Sequence, residues 1–374
     1  MRGRSTAQTS LLTFIDIESR IPAQHPIREV KRLVGEVFRR LDGHFEALYA
    51  GHGRASIPPE RLLGAKVLMA LYSVRSERQF CERLRYDLLF QWFLDINPDE
   101  LGALFEASSF SKNQQRLLAQ ATTERFFAEV VEVARTRGWL SNEHFSVDGT
   151  LIEAWASMKS FRPKNEPPAG PGAGNAWTDF HGEKRSNETH QSTTDPEAKL
   201  LRKGLGKEAK LCFAGHAVME NRHGLCVLFE VRPAIGVSES EAAAQQIAQL
   251  QARRFAPRTV GADKGYHSRT FVQGCREAGV TPHVAELKGR AVEGFDAATK
   301  AEPGYAVSQR LRKRIEEIFG WAKTTGGFRK TRYRGVERTH ACGQMVAAAY
   351  NLIRLAKLGL QTAFESPPAA TAGA

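Results

Sequence analysis

HFSVDGT, residues 144 to 150, marks the place where this chain changes character. Upstream of it, apolar residues recur at helical spacing. From it onward, short β-rich runs are separated by turn residues and then alternate with helical patterns. Strands first and strand-helix alternation afterwards describe a mixed α/β sheet domain. Within the stretch, Phe145, Ser146 and Val147 read as a strand, and Asp148 before Gly149 is expected where that strand stops and the backbone turns.

The upstream segment predicts an all-helical domain over residues 1–140. Val30, Leu33, Val34, Val37, Phe38 and Leu41 form one apolar stripe, with Arg28, Lys31, Arg32, Arg39 and Arg40 among the remaining positions. SIPPERLLGAKVLMALYSV (56–74) opens with Ser and prolines and reads as a buried helix. SERQF follows with a capping pattern, Ser76 and Gln79, so two helices joined by a tight turn are expected. This is either a helix-turn-helix DNA reader or a small bundle with Arg75, Arg78, Arg83 and Arg85 merely solvated. Helical patterning continues from SKNQQRLL to Gly138, a C-cap.

Composition narrows the partners. The 374 residues are enough for two domains, and 53 Lys and Arg against 41 Asp and Glu give a formal charge of +12, which favours a polyanion. Nucleic acid is the first candidate. No apolar run of membrane-spanning length, signal-peptide layout or lipidation motif accompanies the charge, so a cytoplasmic, nucleoid-associated protein is expected rather than a membrane-bound one. Cys81, Cys212, Cys226, Cys275 and Cys342 are scattered without a C-x-x-C pair, which indicates neither a zinc module nor a disulfide framework. His216 follows Cys212 by four places, but that stretch alternates as a strand.

Downstream of residue 150, the Pro/Gly-rich PKNEPPAGPGAGN (163–175) lies in a long connection, 155–210, between the first two strands. Residues 211–232 give two β-rich runs around Asn221 to Gly224, a hairpin. SESEAAAQQIAQLQARRF is a helix with a capping start, and APRTVGAD is a strand ending at Asp263. HSRTFVQGCREAG reads as helix and TPHVA as strand; the tail, 361–374, is expected to be disordered. Two aspartates delivered to the carboxyl ends of strands can converge in the crevice where open α/β sheets bind ligands. Turn chemistry alone would also account for either one.

A helix over QRLRKRIEEIFGWAKT (309–324) supplies the third carboxylate. At roughly 100° per residue, Leu311, Ile315, Ile318, Phe319 and Ala322 form the apolar stripe. Glu317 falls opposite it, whereas Glu316 falls at its border beside Arg312 and Lys323. Glu316 is therefore expected half-buried near the aspartates, and Glu317 solvated. Three carboxylates together repel unless a cation binds them, and all-oxygen ligation suits Mg²⁺ or Mn²⁺. From Arg310 to Arg338 ten Lys or Arg stand against three Glu, so phosphodiester chemistry on DNA is the natural expectation.

At these residues the chain resembles the DDE transposases of the IS-five group of bacterial insertion sequences. FSVDGT followed by LIEAWAS, TVGADKGYHS, and RLRKRIEEIFGWAKTTGGFRKTRYRG carry the resemblance. The group's C-terminal signature, Tyr-x2-Arg-x3-Glu-x6-Lys, falls on Arg312, Glu316 and Lys323, with Gln309 in the Tyr position. SIPPERLLGAKVLMALYSVRSERQF and FSKNQQRL are similar to the group's preceding helical segment. The resemblance implies an RNase H-like catalytic domain over 141–360, with Asp148 on the first strand, Asp263 after the fourth and Glu316 on the following helix. It implies two-metal phosphoryl transfer by ions about 3.5–4 Å apart, with Asp148, Asp263 and Glu316 as catalytic metal ligands. Lys264, Arg312, Lys323, Arg329, Lys330, Arg332 and Arg334 are the expected DNA-binding residues. Double-stranded DNA, as terminal inverted repeats and target, and a second copy of the chain in a homodimer are the expected partners. TTDPEAKL (193–200) is expected to touch DNA. A transposase-derived regulator without catalysis and a structure-specific nuclease are the alternatives.

Overall fold

The computed structural model describes residues 16–49, 56–97, 106–119, 121–165, 185–202, 204, 206 and 208–365. Among the described residues, seven α-helices precede the sheet: α1 (Ile17–Arg20), α2 (Pro26–Leu48), α3 (Pro59–Leu71), α4 (Glu77–Leu84), α5 (Leu88–Phe93), α6 (Ala107–Ala119) and α7 (Thr122–Thr136). The α2 stripe is buried from Ile27 through Leu33 and Val37 to Phe45, while α3 buries Leu62, Leu63, Ala65, Val67 and Leu68. Ser76 caps α4 by accepting from the Gln79 amide at 3.1 Å. The helical run expected up to Gly138 is broken once, because Ala121 takes a left-handed conformation, φ 51°, between α6 and α7. Gly138, φ 70°, ends α7, and the next amide, Trp139, turns back to the Ala134 carbonyl at 3.0 Å. Arg83 and Arg85 are engaged by Asp87 and Glu106.

The sheet begins with β1 (His144–Glu153). The excursion that follows is more structured than a loop: β2 (Phe161–Pro163) and β3 (His190–Ser192) pair with each other, and β4 (Lys199–Arg202) joins the main sheet. Then come β5 (Ala209–Glu220), β6 (Leu225–Pro233), α8 (Glu239–Ala252), β7 (Thr259–Ala262), α9 (Arg269–Glu277), β8 (Thr281–Val284), α10 (Ala297–Ala301), α11 (Tyr305–Leu311), α12 (Ile315–Lys323) and α13 (Val336–Glu365). The helix expected over 309–324 is in fact α11 and α12 joined by a single 3₁₀ turn, Arg312–Arg314. α13 runs on to Glu365, so residues 361–365 of the expected disordered tail are helical; 366–374 lie outside the described residues.

The strand order is β4-β5-β1-β7-β8, with β6 on β5 beyond β4. β5 is antiparallel to β1, β4 and β6, whereas β7 is parallel to β1 and to β8, so the sheet is mixed. α13 packs against β6 and also against α2, α3 and α7. Apolar side chains of the helices and the sheet form one contiguous core. Near residue 140 the chain passes from this helical run into the sheet.

TTDPEAKL has an architectural use. Asp195, buried, accepts from the Gly335 amide at 3.1 Å, and Glu197 accepts from the Val336 amide at 3.0 Å. Both carboxylates thereby serve the N-terminus of α13, where unsatisfied amides favour negative charge.

Candidate active site

The two aspartates meet through strand register. β1 pairs with β7 only from His144↔Thr259 to Ser146↔Gly261. Carrying that parallel register two residues further sets Asp148 abreast of Asp263. Asp148 is not at a strand end as the sequence suggested: β1 continues to Glu153, with Asp148 opposite Ala217 and Gly149 opposite His216 on β5. It is the neighbour that stops, since β7 ends at Ala262, and the crevice opens on that side of β1.

Each aspartate leans on a backbone amide. Asp148 Oδ1 accepts from Gly149 N at 2.8 Å, and Asp263 Oδ1 accepts from Gly265 N at 2.7 Å. The Asp148 carboxyl is pushed up to about 6, first by burial and then by the charges of Asp263, Glu239 and Glu316, with the Gly149 amide opposing. Asp263 and Glu316 therefore both stand within electrostatic reach of Asp148. Among the described residues, however, no three His, Cys, Asp or Glu side chains converge closely enough to grip an ion as they stand. Asp148 and Asp263 each turn an oxygen to a nearby backbone amide. The donor set is nonetheless all oxygen and crowded with negative charge, as a hard divalent cation requires.

Glu316 lies in the first turn of α12 and is exposed rather than half-buried. Glu317 points elsewhere and pairs with Arg354 Nη1 of α13 at 3.1 Å, also at the surface. Lys323, at the last turn of α12, donates to Thr150 Oγ1, two places beyond Asp148. Arg312 Nε donates to Gln309 Oε1 at 3.0 Å, and Gln309 Nε2 donates to the His283 carbonyl at 2.5 Å. Gln309 thus ties Arg312 to β8. The turn carrying Arg312 can press on β7 only because Gly261 has no side chain; a Cβ there would stand 3.0 Å from the Arg312 Cβ. Lys264, directly after Asp263, is exposed.

The C-terminal basic run is held rather than trailing. Glu153 N donates to the Arg329 carbonyl at 3.0 Å and Thr331 N to the Glu153 carbonyl at 2.8 Å, so residues 329–331 extend the end of β1. On the other side, the Tyr333 hydroxyl donates to Glu77 Oε1 at 2.9 Å and accepts from Lys66 Nζ at 2.8 Å. Burial alone would pull the Lys66 ammonium down, but Tyr333 and Glu77 reverse this and hold it charged. Along this stretch Arg329, Lys330, Arg332 and Arg334 are exposed. Lys330 lies over the exposed ring of Trp155, 5.9 Å from its centroid.

Two further residues neighbour this cluster, Glu239, which the sequence does not place there, and Tyr266, which it offers as either a pocket-lining or a packing residue. Glu239 opens α8, and a Cβ placed on Gly149 would lie 3.2 Å from its Oε1. Tyr266, 1% exposed, has a hydroxyl with no hydrogen-bond partner. Burial pushes that hydroxyl up, helped by Asp148, Glu239 and Asp263. Along the chain, Glu239 is only the start of a capped helix that follows a strand. No helix among the described residues is long and apolar enough to cross a membrane.

Residues 15–116 match a family model described as a transposase domain, and residues 177–352 match one described as a transposase DDE domain. The second match includes Asp263 and Glu316 and begins after Asp148. No curated protein matches the chain in sequence. Among solved structures, a piggyBac transposase synaptic complex with hairpin DNA is 8% identical, covering 94% of this chain and 84% of its own at a TM-score of 0.38. The Mos1 strand transfer complex is 11% identical, covering 84% and 81% at a TM-score of 0.20. At these scores the likeness is too distant to fix the fold.

Proposed function

This chain is a DDE transposase, and from that premise we propose that Asp148, Asp263 and Glu316 are its catalytic carboxylates, on an RNase H-like sheet of the IS-five type. The observation that carries the reading is the parallel register that brings Asp148 abreast of Asp263 beside the turn of α12 bearing Glu316. Two Mg²⁺ ions, with Mn²⁺ as substitute, would activate the attacking oxygen and stabilise the leaving one. Asp148 and Asp263 would hold them from adjacent strands, and Glu316 would close the site from the helix.

The remaining side chains bind and orient DNA. Lys323 and Arg312 flank the carboxylates on the side of α12 and would hold the phosphates next to the scissile bond. Lys264 does so from the turn after β7. Arg329, Lys330, Arg332 and Arg334 would track the duplex away from the site, since phosphate contacts of this kind fix register without reading sequence. The reaction is hydrolysis at the element's end, leaving a 3′-hydroxyl, followed by attack of that hydroxyl on target DNA. No protein nucleophile is needed. Because two ends must be held together, the working form is a homodimer on the terminal inverted repeats, and the protein is nucleoid-associated.

The test is incubation of the full chain with labelled terminal inverted repeats, target plasmid and Mg²⁺. Insertion of the labelled end into the plasmid supports the proposal. Cutting without joining would make the protein a nuclease, and binding alone a regulator. Alanine at 148, 263 or 316 is expected to abolish cutting while binding persists.

A further inference from the structure

The proposed chemistry leaves Glu239 and Tyr266 unused, although both reach the same crevice from the face of the sheet opposite α12. Glu239 stands at the first position of α8, held there by the Ser238 cap, whose Oγ accepts from the Glu241 amide at 3.1 Å. α8 also packs against the turn Lys264–Tyr266 that follows Asp263, where Ser240 Oγ lies 3.4 Å from the Gly265 carbonyl. Its first residue is thereby brought to the edge where β7 ends. The sheet lets it approach because Gly149 carries no side chain. A Cβ at that position would meet Glu239 Oε1 at 3.2 Å and His216 Nδ1 at 3.4 Å.

A second, independent observation marks this side of the crevice as built to receive something. The Tyr266 ring is sealed against Phe271, with ring centroids 5.4 Å apart, yet its hydroxyl has no partner and lies within electrostatic reach of Asp148, Glu239 and Asp263. A buried hydroxyl without a partner costs free energy unless a bound state satisfies it. His216, 3% exposed, likewise has an Nδ1 without a partner, on the side of Gly149 that Glu239 also approaches.

We propose that Glu239 is a fourth carboxylate of the divalent-ion site, entering through the gap at Gly149, with the Tyr266 hydroxyl as a positioning donor to the carboxylates once they are drawn together. This rests on the assignment of Asp148 and Asp263 as ion ligands. It gives the site ligands from both faces of the sheet, α12 on one and α8 on the other.

Binding of Mn²⁺ alone to the full-length protein without DNA, followed by calorimetry and by the loss of the free-ion electron paramagnetic resonance signal, tests it. Glu239→Gln is expected to weaken Mn²⁺ binding at least tenfold, with Glu239→Asp recovering part of the loss. Gly149→Ala, which leaves every carboxylate in place but crowds Glu239, is expected to weaken binding as well. Glu241→Gln, on the same helical turn, is expected to bind as the parent does. Melting in EDTA establishes that each variant is folded. Mn²⁺ binding by Glu239→Gln within twofold of the parent would overturn the proposal. If Asp148→Asn loses the ion while Glu239→Gln keeps it, the fourth carboxylate alone falls. If both keep it, the assignment of the whole site falls.

Discussion

Replacing Asp148 by Asn should stabilise the metal-free protein at neutral pH, against the usual expectation for a mutation in a functional crevice. A carboxyl raised from 3.8 to about 6 ionises less readily in the folded chain than in the unfolded one. Its contribution to stability is therefore complete below the unfolded value and is lost as pH rises through about 6. Above that, the ionised carboxylate costs the folded state about 2–3 kcal/mol, taking about 1.4 kcal/mol per unit and trimming for partial solvent access. Asn cannot ionise, and its oxygen still accepts from the Gly149 amide. With an unfolding entropy of about 2 cal/mol/K per residue over 374 residues, the variant should melt roughly 3–4 °C above the parent at pH 7.5 in EDTA. The gap should shrink to about half by pH 5. Saturating Mn²⁺ should reverse the order by stabilising the parent and leaving the variant unmoved. Scanning calorimetry at the two pH values, with EDTA and with Mn²⁺, reads all of this. An Asn variant that melts at or below the parent in EDTA at pH 7.5 would refute the crowding of charge on which the site assignment depends.

Three further outcomes are expected. Glu317→Gln should leave cleavage of labelled element ends unchanged and cost under about 1 kcal/mol in denaturation, because its pair with Arg354 is at the surface. Replacing Arg329, Lys330, Arg332 and Arg334 together by Ala should weaken binding to all duplexes alike in fluorescence anisotropy and reduce the salt dependence by about 0.9 in log-log slope for each phosphate no longer neutralised. Lys66→Met should cost about 1–3 kcal/mol in urea unfolding, since it leaves the half-buried Glu77 carboxylate without its cation; an unchanged midpoint would mean that Tyr333 is not anchored as described.

Much of this was legible because the decisive signals were local. Phe145, Ser146 and Val147, and Thr259 to Ala262, are short runs that announce strands, and the stop before Asp263 was visible as Asp followed by Lys-Gly. Helical phase alone separated Glu316 from Glu317; in the structure both are exposed, with Glu317 turned to Arg354 and Glu316 acting on Asp148. Burial was less legible: Glu316 is exposed, since the apolar stripe fixes which side of α12 faces the core but not how far the sheet edge extends beneath it.

What stayed hidden depends on register between distant segments. Asp148 lies mid-strand rather than at a strand's end, and only the early termination of its partner β7 at Ala262 opens the crevice beside it; no property of HFSVDGT encodes where a strand more than a hundred residues later will stop. The same holds for Glu239. Along the chain, SESEAAA is a helix start in which Glu at the first turn needs no explanation beyond the helix dipole. Across the sheet, the residue opposite His216 is a glycine, and an absent side chain at that place admits a carboxylate from the far face. A site assembled across a sheet is written as much in the residue that makes room as in the residue that arrives, and Gly149, which in the sequence looks like turn chemistry, is where that double meaning can be tested.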